Sequence, residues 1–394
     1  MQEVVILSAA RTPIGSFQGA LSSLRAPELG AKALAGAIER AGVEPASIEQ
    51  VYMGCVLPAG LGQAPARQAA LAAGCPTSTG AITLNKVCGS GMRALMSAAN
   101  DLRCDEFQLV AAGGMESMSG APYLAPKIRD GLRLGHGQLL DSMIHDGLWD
   151  VYNDKHMGNC AETCASSYEF SREEQDAYTE SSYQKAQESI ETGRFANEIV
   201  PVEVPQRRGE PLRVEHDEEP SRVNFEKMKK LRPVFQKDGT VTAANASTIN
   251  DGAAAMVLTT AEHAAKLGVK PIARLVSQAT FAHDPEWFTT APVGAVQKAL
   301  ERAGLTVDDI DLFEINEAFA VVALAAIKDL GLDADKVNVH GGAVALGHPI
   351  GASGARIIVT LLHALEQRGG RYGCAGICLG GGEATSVVVE RLTD

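Results

Sequence analysis

The sequence predicts an α/β protein of two similar halves with a long insertion between them. Three observations lead there. First, the chain repeats itself: AIERAGVEPASIEQVYMG (37–54) matches ALERAGLTVDDIDLFEIN (299–316) at an offset of 262, and SGMRAL (90–95) answers SGARII (353–358) at 263. GME (114–116) answers GGE (381–383) at 267, a drift that loop-length differences would produce. Second, apolar runs (VVILSAA, QLVAAGG, VNVHGG, AGICLGG) alternate with helical runs (APELGAKALAGAIERAG, SGARIIVTLLHALEQRG), as helix-covered sheets require. Third, residues from about 119 to 250 break that alternation with more glycine, proline and charge. The boundaries that follow are 1–118 with 251–270 for the N-terminal half, 119–250 for the inserted loop domain, and 271–394 for the C-terminal half.

Taken in order, VVILSAA is a short strand with no basic leader and no long apolar segment before it, from which a cytoplasmic protein is expected. The first repeat copy reads helix, turn, strand. ITLNKV is β-like as far as Val87, and Gly89-Ser90-Gly91 then opens a helix through Asn100. In the insertion, EEQDAYTESSYQKAQESIETG is the one clear amphipathic helix; a long excursion of this kind reads as the cover of a site. Ala318 to Ile327 is the longest apolar run and too short for a membrane span, so it reads as a buried helix.

The whole chain narrows the function. Its 394 residues with 45% hydrophobic content support a large core, and a net charge of −13 repels nucleic acid and anionic membranes. One basic cluster, Arg222 to Arg232, stands against that background. The eight cysteines should be reduced, and their spacing lacks the pattern of a structural zinc site.

Cys88 lies at a helix N-terminus, where free N–H groups and the helix dipole favour a thiolate and can hold an oxyanion, although a plain core cysteine is the competing reading. His348 sits on a loop at the same end of the fold, where it can take the thiol proton and hold the thiolate as an ion pair, or else simply bond to backbone. Cys378 ends an apolar strand before Gly380-Gly381-Gly382 and reads either as a second acid/base thiol or as a buried strand residue. Asn316 can cap the following helix or orient a water and an oxyanion.

Together NKVCGSGMRA, NEAFA, GHPIGASGAR and CAGICLGGG resemble the thiolase family over essentially the whole chain. That resemblance implies the thiolase fold, two α/β halves packed as an αβαβα core, and a homotetramer built as a dimer of dimers. It implies Cys88 as acyl-accepting nucleophile, His348 as its activator and Cys378 as acid/base. One oxyanion is then held by His348 with an Asn316-bound water, the other by the N–H groups of Cys88 and Gly380. The reaction implied is reversible thiolysis of acetoacetyl-CoA into acetyl-CoA, with coenzyme A as co-substrate and no tightly bound cofactor; a broader-chain 3-ketoacyl-CoA thiolase is the alternative.

The resemblance extends to binding residues. His156 and Met157, in the HMG triplet, match short-chain members, and Ala318 and Phe319 of NEAFA join the substrate set. Arg222, Val223, Asn224 and Lys227 are implied at the nucleotide end of CoA and Ser247 at pantetheine, while Lys229 and Lys230 read as solvated charges. VFQKDGTVTAANASTINDGAAA is similar to the potassium-activated branch, which implies ion ligands from Ala243, Ala244, Ala246 and Val344 carbonyls and the Tyr183 hydroxyl. Phe288 matches that branch too and implies tolerance of 2-methylacetoacetyl-CoA. His340, in VNVHGG, departs from the asparagine usual there. A ketoacyl-carrier-protein synthase would pair the cysteine with two histidines, and a nucleotide-binding scaffold would form no acyl-enzyme.

Overall fold

The computed structural model describes residues 2–393. The N-terminal half runs β1 (Val4–Arg11), α1 (Ala26–Ala41), β2 (Gln50–Gly54), α2 (Pro65–Ala72), β3 (Gly80–Leu84), α3 (Ser90–Arg103) and β4 (Leu109–Ser117). After the insertion, with α4 (Met157–Tyr168) and α5 (Arg172–Glu191), β5 (Asn250–Thr260) completes its sheet. The C-terminal half runs β6 (Ala273–Ala282), α6 (Ala291–Ala303), β7 (Leu312–Ile315), α7 (Ala320–Leu330), α8 (Ile350–Arg368), β8 (Tyr372–Leu379) and β9 (Glu383–Arg391).

The strands form one ten-stranded mixed sheet in the order β7-β8-β9-β6-β1-β5-β4-β2-β3, with Gly15–Ser16 paired beside β5. Its halves meet along a short antiparallel contact, Val5 with Arg274 and Ile6 with Ala273. The layering follows from where the apolar faces go. α3 and α8 share one core with strands of both halves (Met92, Leu95, Ile357, Leu361, Val110, Ile377), which puts these two helices in the middle. α1 and α2 cover the outer face of the first half, and α6 and α7 that of the second. The result is helix, sheet, helix, sheet, helix.

Buried on every side, α3 and α8 must nearly touch. A Cβ on Gly91 would lie 2.8 Å from Ala355 N, and one on Gly354 would lie 2.6 Å from Met92 N. The repeated S-G of SGMRAL and SGARII therefore has a packing reason. It also sets Cys88 and His348 just before the two central helices, at one end of the molecule.

Three expectations are corrected. VNVHGG forms no strand; Val337 makes a single bridge to Phe313, and Asn338, at φ 47°, turns the chain away while its amide bonds the backbone of Ile315 on both sides. The insertion holds a second full helix, α4, whose start His156 caps through its ring, a signal that apolar periodicity does not carry. GME lies inside β4, whose counterpart is β8, whereas GGE lies in the β8–β9 turn, so that third match is no structural equivalence. Among the described residues no helix is long and apolar enough to cross a membrane.

Candidate active site

Cys88 stands on a tight turn between β3 and α3. Val87 adopts a left-handed φ of 45°, costly for a β-branched residue. The turn is held by three bonds: Asn85 Oδ1 accepts from Val87 N (2.8 Å), Ser90 Oγ accepts from Lys86 N (2.8 Å), and Ser90 Oγ donates to Val87 O (2.6 Å). The thiol therefore projects at a fixed angle with the α3 N-terminus behind it, and the backbone N–H groups of Cys88 and Gly380 both lie near its sulfur and favour its ionised form. Those are the two donors that an oxyanion hole requires.

His348 is fixed from both sides. Its backbone N donates to Asn250 Oδ1 (2.9 Å), and Gly347 before it has φ 108° with no room for a Cβ, which would lie 2.4 Å from the Asn250 side chain. Ser353 Oγ gives its one proton to Pro349 O (2.9 Å) and so accepts from His348 Nδ1–H at 2.6 Å. This leaves Nε2 unprotonated and without a partner among the described residues, although it is buried. Cys378, fully buried at the end of β8, comes close enough to Cys88 for that sulfur to oppose its ionisation, adding to the rise that burial causes.

Cys88, His348, Cys378 and Gly380 line one cavity of about 570 Å³ together with His156, Met157, Arg222, Ala243, Ala246, Ser247, Phe288, Ala318 and Phe319. One wall is aromatic: His156 stacks on Phe235 at 4.8 Å, and Phe319 packs edgewise on Phe235 (6.1 Å) and Phe288 (6.2 Å). His156 Nδ1 accepts from Gly158 N, so its Nε2–H is free to donate into the cavity.

Seven expected residues stand off the cavity wall, Asn316 among them. Val223 packs with Tyr183 and Ile14, Asn224 Oδ1 caps its own short helix at Lys227 N, and Lys227 is exposed. Tyr183 and Val344 are buried behind the wall, and Ala244 lies between two lining residues. Asn316 is fully buried and its Oδ1 and Nδ2 have no partner among the described residues. It is no helix cap, because that position in α7 belongs to Phe319. A buried amide left unpaired calls for a water or a ligand atom.

Sequence reasoning missed the residues that hold this site. Glu116 is fully buried and accepts from Val56 N, Leu57 N and Gly351 N, which ties β4 to the start of α8. Burial pushes its carboxyl up to about 7. Glu317 of NEAFA accepts from Tyr178, Ser182, Asn338 and Val344 N, fastening its own motif to the loop before His348. A buried carboxylate inside an apolar stretch was the available signal for both.

The expected ion pair is also corrected. Burial pushes the Cys88 thiol up to about 12, more than the two N–H groups lower it, and Glu116 adds to the rise. Burial, with Arg356 nearby, pulls His348 down to about 3. The resting pair is thiol and neutral imidazole. Alkylation of Cys88 by iodoacetamide is therefore expected to speed up about tenfold per pH unit from pH 6 to 9. A preformed ion pair would instead give a rate independent of pH over that range.

Comparison with known proteins places this arrangement. The thiolase N-terminal domain family matches residues 4–262 and the thiolase C-terminal domain family residues 269–391. The chain belongs to the thiolase family. This thiolase is 51% identical over 392 residues to an acetyl-CoA acetyltransferase of Pseudomonas aeruginosa, covering 99% of this chain and 100% of that one. It is 54% identical over 393 residues to the mitochondrial acetyl-CoA acetyltransferase of Rattus norvegicus, covering 100% of this chain and 92% of that one. Among solved structures, a thiolase from Ascaris suum in complex with coenzyme A superposes with TM-score 0.94 at 46% identity, covering 99% of this thiolase and 100% of that chain.

Proposed function

We propose that this thiolase is an acetyl-CoA C-acetyltransferase that cleaves acetoacetyl-CoA with coenzyme A and runs the reverse Claisen condensation. One observation carries the reading: Cys88, His348 and Cys378 share a single cavity, with the N–H groups of Cys88 and Gly380 on the nucleophilic sulfur. The full-length similarity to acetyl-CoA acetyltransferases supports the substrate.

In thiolysis, Cys88 attacks the keto carbon while its proton passes to His348 Nε2. The transfer accompanies sulfur–carbon bonding, since neither group is charged beforehand. The oxyanion on the attacked carbon takes donors from the Cys88 and Gly380 N–H groups. The carbon–carbon bond then breaks, and the leaving enolate, its thioester oxygen held by His348 and a water on Asn316, is protonated by Cys378; the CoA thiol then gives its proton to the Cys378 thiolate and attacks the acetyl carbon, and the departing Cys88 thiolate recovers its proton from His348. His156 Nε2–H, Met157, Ser247, Ala318 and Phe319 position the thioester arm; Arg222 at the mouth, followed by Val223, Asn224 and Lys227, serves the nucleotide end. 2-Methylacetoacetyl-CoA is a second substrate under the same reading, with Phe288 bordering its methyl group.

The residues at the implied potassium site fit a hard monovalent cation. The carbonyls of Ala243, Ala244 and Ala246 accept no hydrogen bond among the described residues, and the Tyr183 hydroxyl is likewise unpartnered in a buried, acidic setting near Glu219. With Val344 O they would hold the ion, which would order the Ala243–Ser247 wall. The exposed apolar residues Tyr123, Ile128, Leu132, Leu134 and Leu139 support self-association into the tetramer. The eight free cysteines suit a reducing compartment such as the cytoplasm.

Steady-state thiolysis tests the reading. The kcat/KM for acetoacetyl-CoA is expected to exceed that for 3-ketooctanoyl-CoA at least tenfold; the opposite order would favour the broader-chain enzyme. In the same assay KCl is expected to raise turnover over NaCl at equal ionic strength, and Tyr183→Phe to remove the difference. Equal rates in both salts for the unaltered enzyme would count against the ion.

A further inference from the structure

Away from the catalytic cavity, a second pocket of about 270 Å³ opens between α5, the 335–340 loop and the end of α8. His340 forms its floor. The side chain is 1% exposed, yet Nε2 has no hydrogen-bond partner among the described residues. The tautomer follows from its neighbour: Ser189 Oγ is buried, and His340 Nδ1, 3.1 Å away, is the one partner recorded for it among the described residues. A buried hydroxyl gives up its proton, so Ser189 donates to Nδ1 and the ring carries its own proton on Nε2. A buried donor is thus left unsatisfied beside the pocket. Gln367 lies beside the ring and favours that proton; its amide nitrogen donates to Arg194 O (2.7 Å), and its amide oxygen forms no hydrogen bond with Nε2.

Three cations share the pocket. Lys185 is held by Val337 O at 3.2 Å, Arg194 reaches Glu188 only at 3.8 Å, and Arg368 has no ion-pair partner among the described residues. The two carboxylates present, Glu188 and Asp335, are exposed at the rim. They do not join His340 in a cluster able to hold a metal, since no such group occurs among the described residues. Three cations and the His340 donor therefore outnumber the two rim carboxylates, the reverse of a cation site.

We infer that this pocket binds a small tetrahedral oxyanion, inorganic phosphate or the terminal phosphate of a monoester, between His340 Nε2–H and the side chains of Arg368, Arg194 and Lys185. Such an anion supplies the acceptor that His340 Nε2–H lacks and balances the excess of cations, and 270 Å³ admits one with room for a short substituent. The inference is independent of the catalytic reading.

The test uses the full chain with saturating CoA, so that the nucleotide-binding end of the catalytic cavity is already filled. Thermal unfolding is followed in rising sodium phosphate, with ionic strength held constant by NaCl. A saturable rise in Tm is expected for the unaltered protein, with its midpoint shifted at least tenfold upward in both His340→Asn and Arg368→Gln. Asparagine is the usual residue at position 340 by family resemblance and Arg368 is exposed, so both variants should fold. Repeating the titration with glycerol phosphate separates the two sources: a lower midpoint assigns a monoester, an equal or higher one free phosphate. A rise that NaCl reproduces, or one unchanged by both substitutions, overturns the site.

Discussion

Alanine at position 88 is expected to lower thiolysis of acetoacetyl-CoA by a factor on the order of 10⁴ or more, with no acetyl-enzyme formed. The size follows from the route. Without the sulfur there is no covalent carrier, and direct attack of CoA on the keto carbon has no thiol placed between the two N–H donors of Cys88 and Gly380. Folding should survive, because the turn is secured by Asn85, Ser90 and backbone bonds rather than by the thiol. Rapid-quench kinetics with acetoacetyl-CoA checks this; a residual rate within tenfold of the unaltered enzyme would place the nucleophile elsewhere.

Cys378→Ala divides the reaction instead of abolishing all of it. The variant is expected to accept an acetyl group on Cys88 from acetyl-CoA, yet to lose exchange of the acetyl-CoA methyl protons with deuterated water and to fall about 10³-fold in turnover. Cys378 is fully buried and feels the Cys88 thiol, so of the two sulfurs it is the one left free to serve the substrate carbon once Cys88 is acylated. NMR of acetyl-CoA in deuterated buffer reads the exchange. Undiminished exchange would remove Cys378 from its role.

Much of this was legible in the residues because glycine and small-residue turns carry geometric demands. The S-G pairs in the first turns of α3 and α8 let two buried helices touch, and they therefore mark the same end of both halves. Cys88, His348 and Cys378 stand out by their places at strand ends and helix starts, and the resemblance to the thiolase family implies their roles. What sequence could not weigh was burial against the helix dipole. Position at the α3 N-terminus argued for a thiolate, but enclosure by protein outweighs it, and the same enclosure keeps His348 neutral.

The supports of the site were hidden for a related reason. Glu116, Glu317, Asn250 and Ser353 act through hydrogen bonds to backbone or to side chains distant in the sequence, and no local periodicity records such partners. VNVHGG has the composition of a strand, yet Asn338 bonds the Ile315 backbone and turns the chain before a ladder can form. Composition there gave the burial correctly and the conformation wrongly.

The central claim is that acetyl transfer passes through Cys88. Incubating the protein with acetyl-CoA, quenching in acid and mapping the acetylated peptide by mass spectrometry tests it most directly. The account predicts one acetyl group, on Cys88, discharged when free CoA is added before the quench. Stable labelling of another residue, or none at Cys88 while thiolysis proceeds, would contradict it.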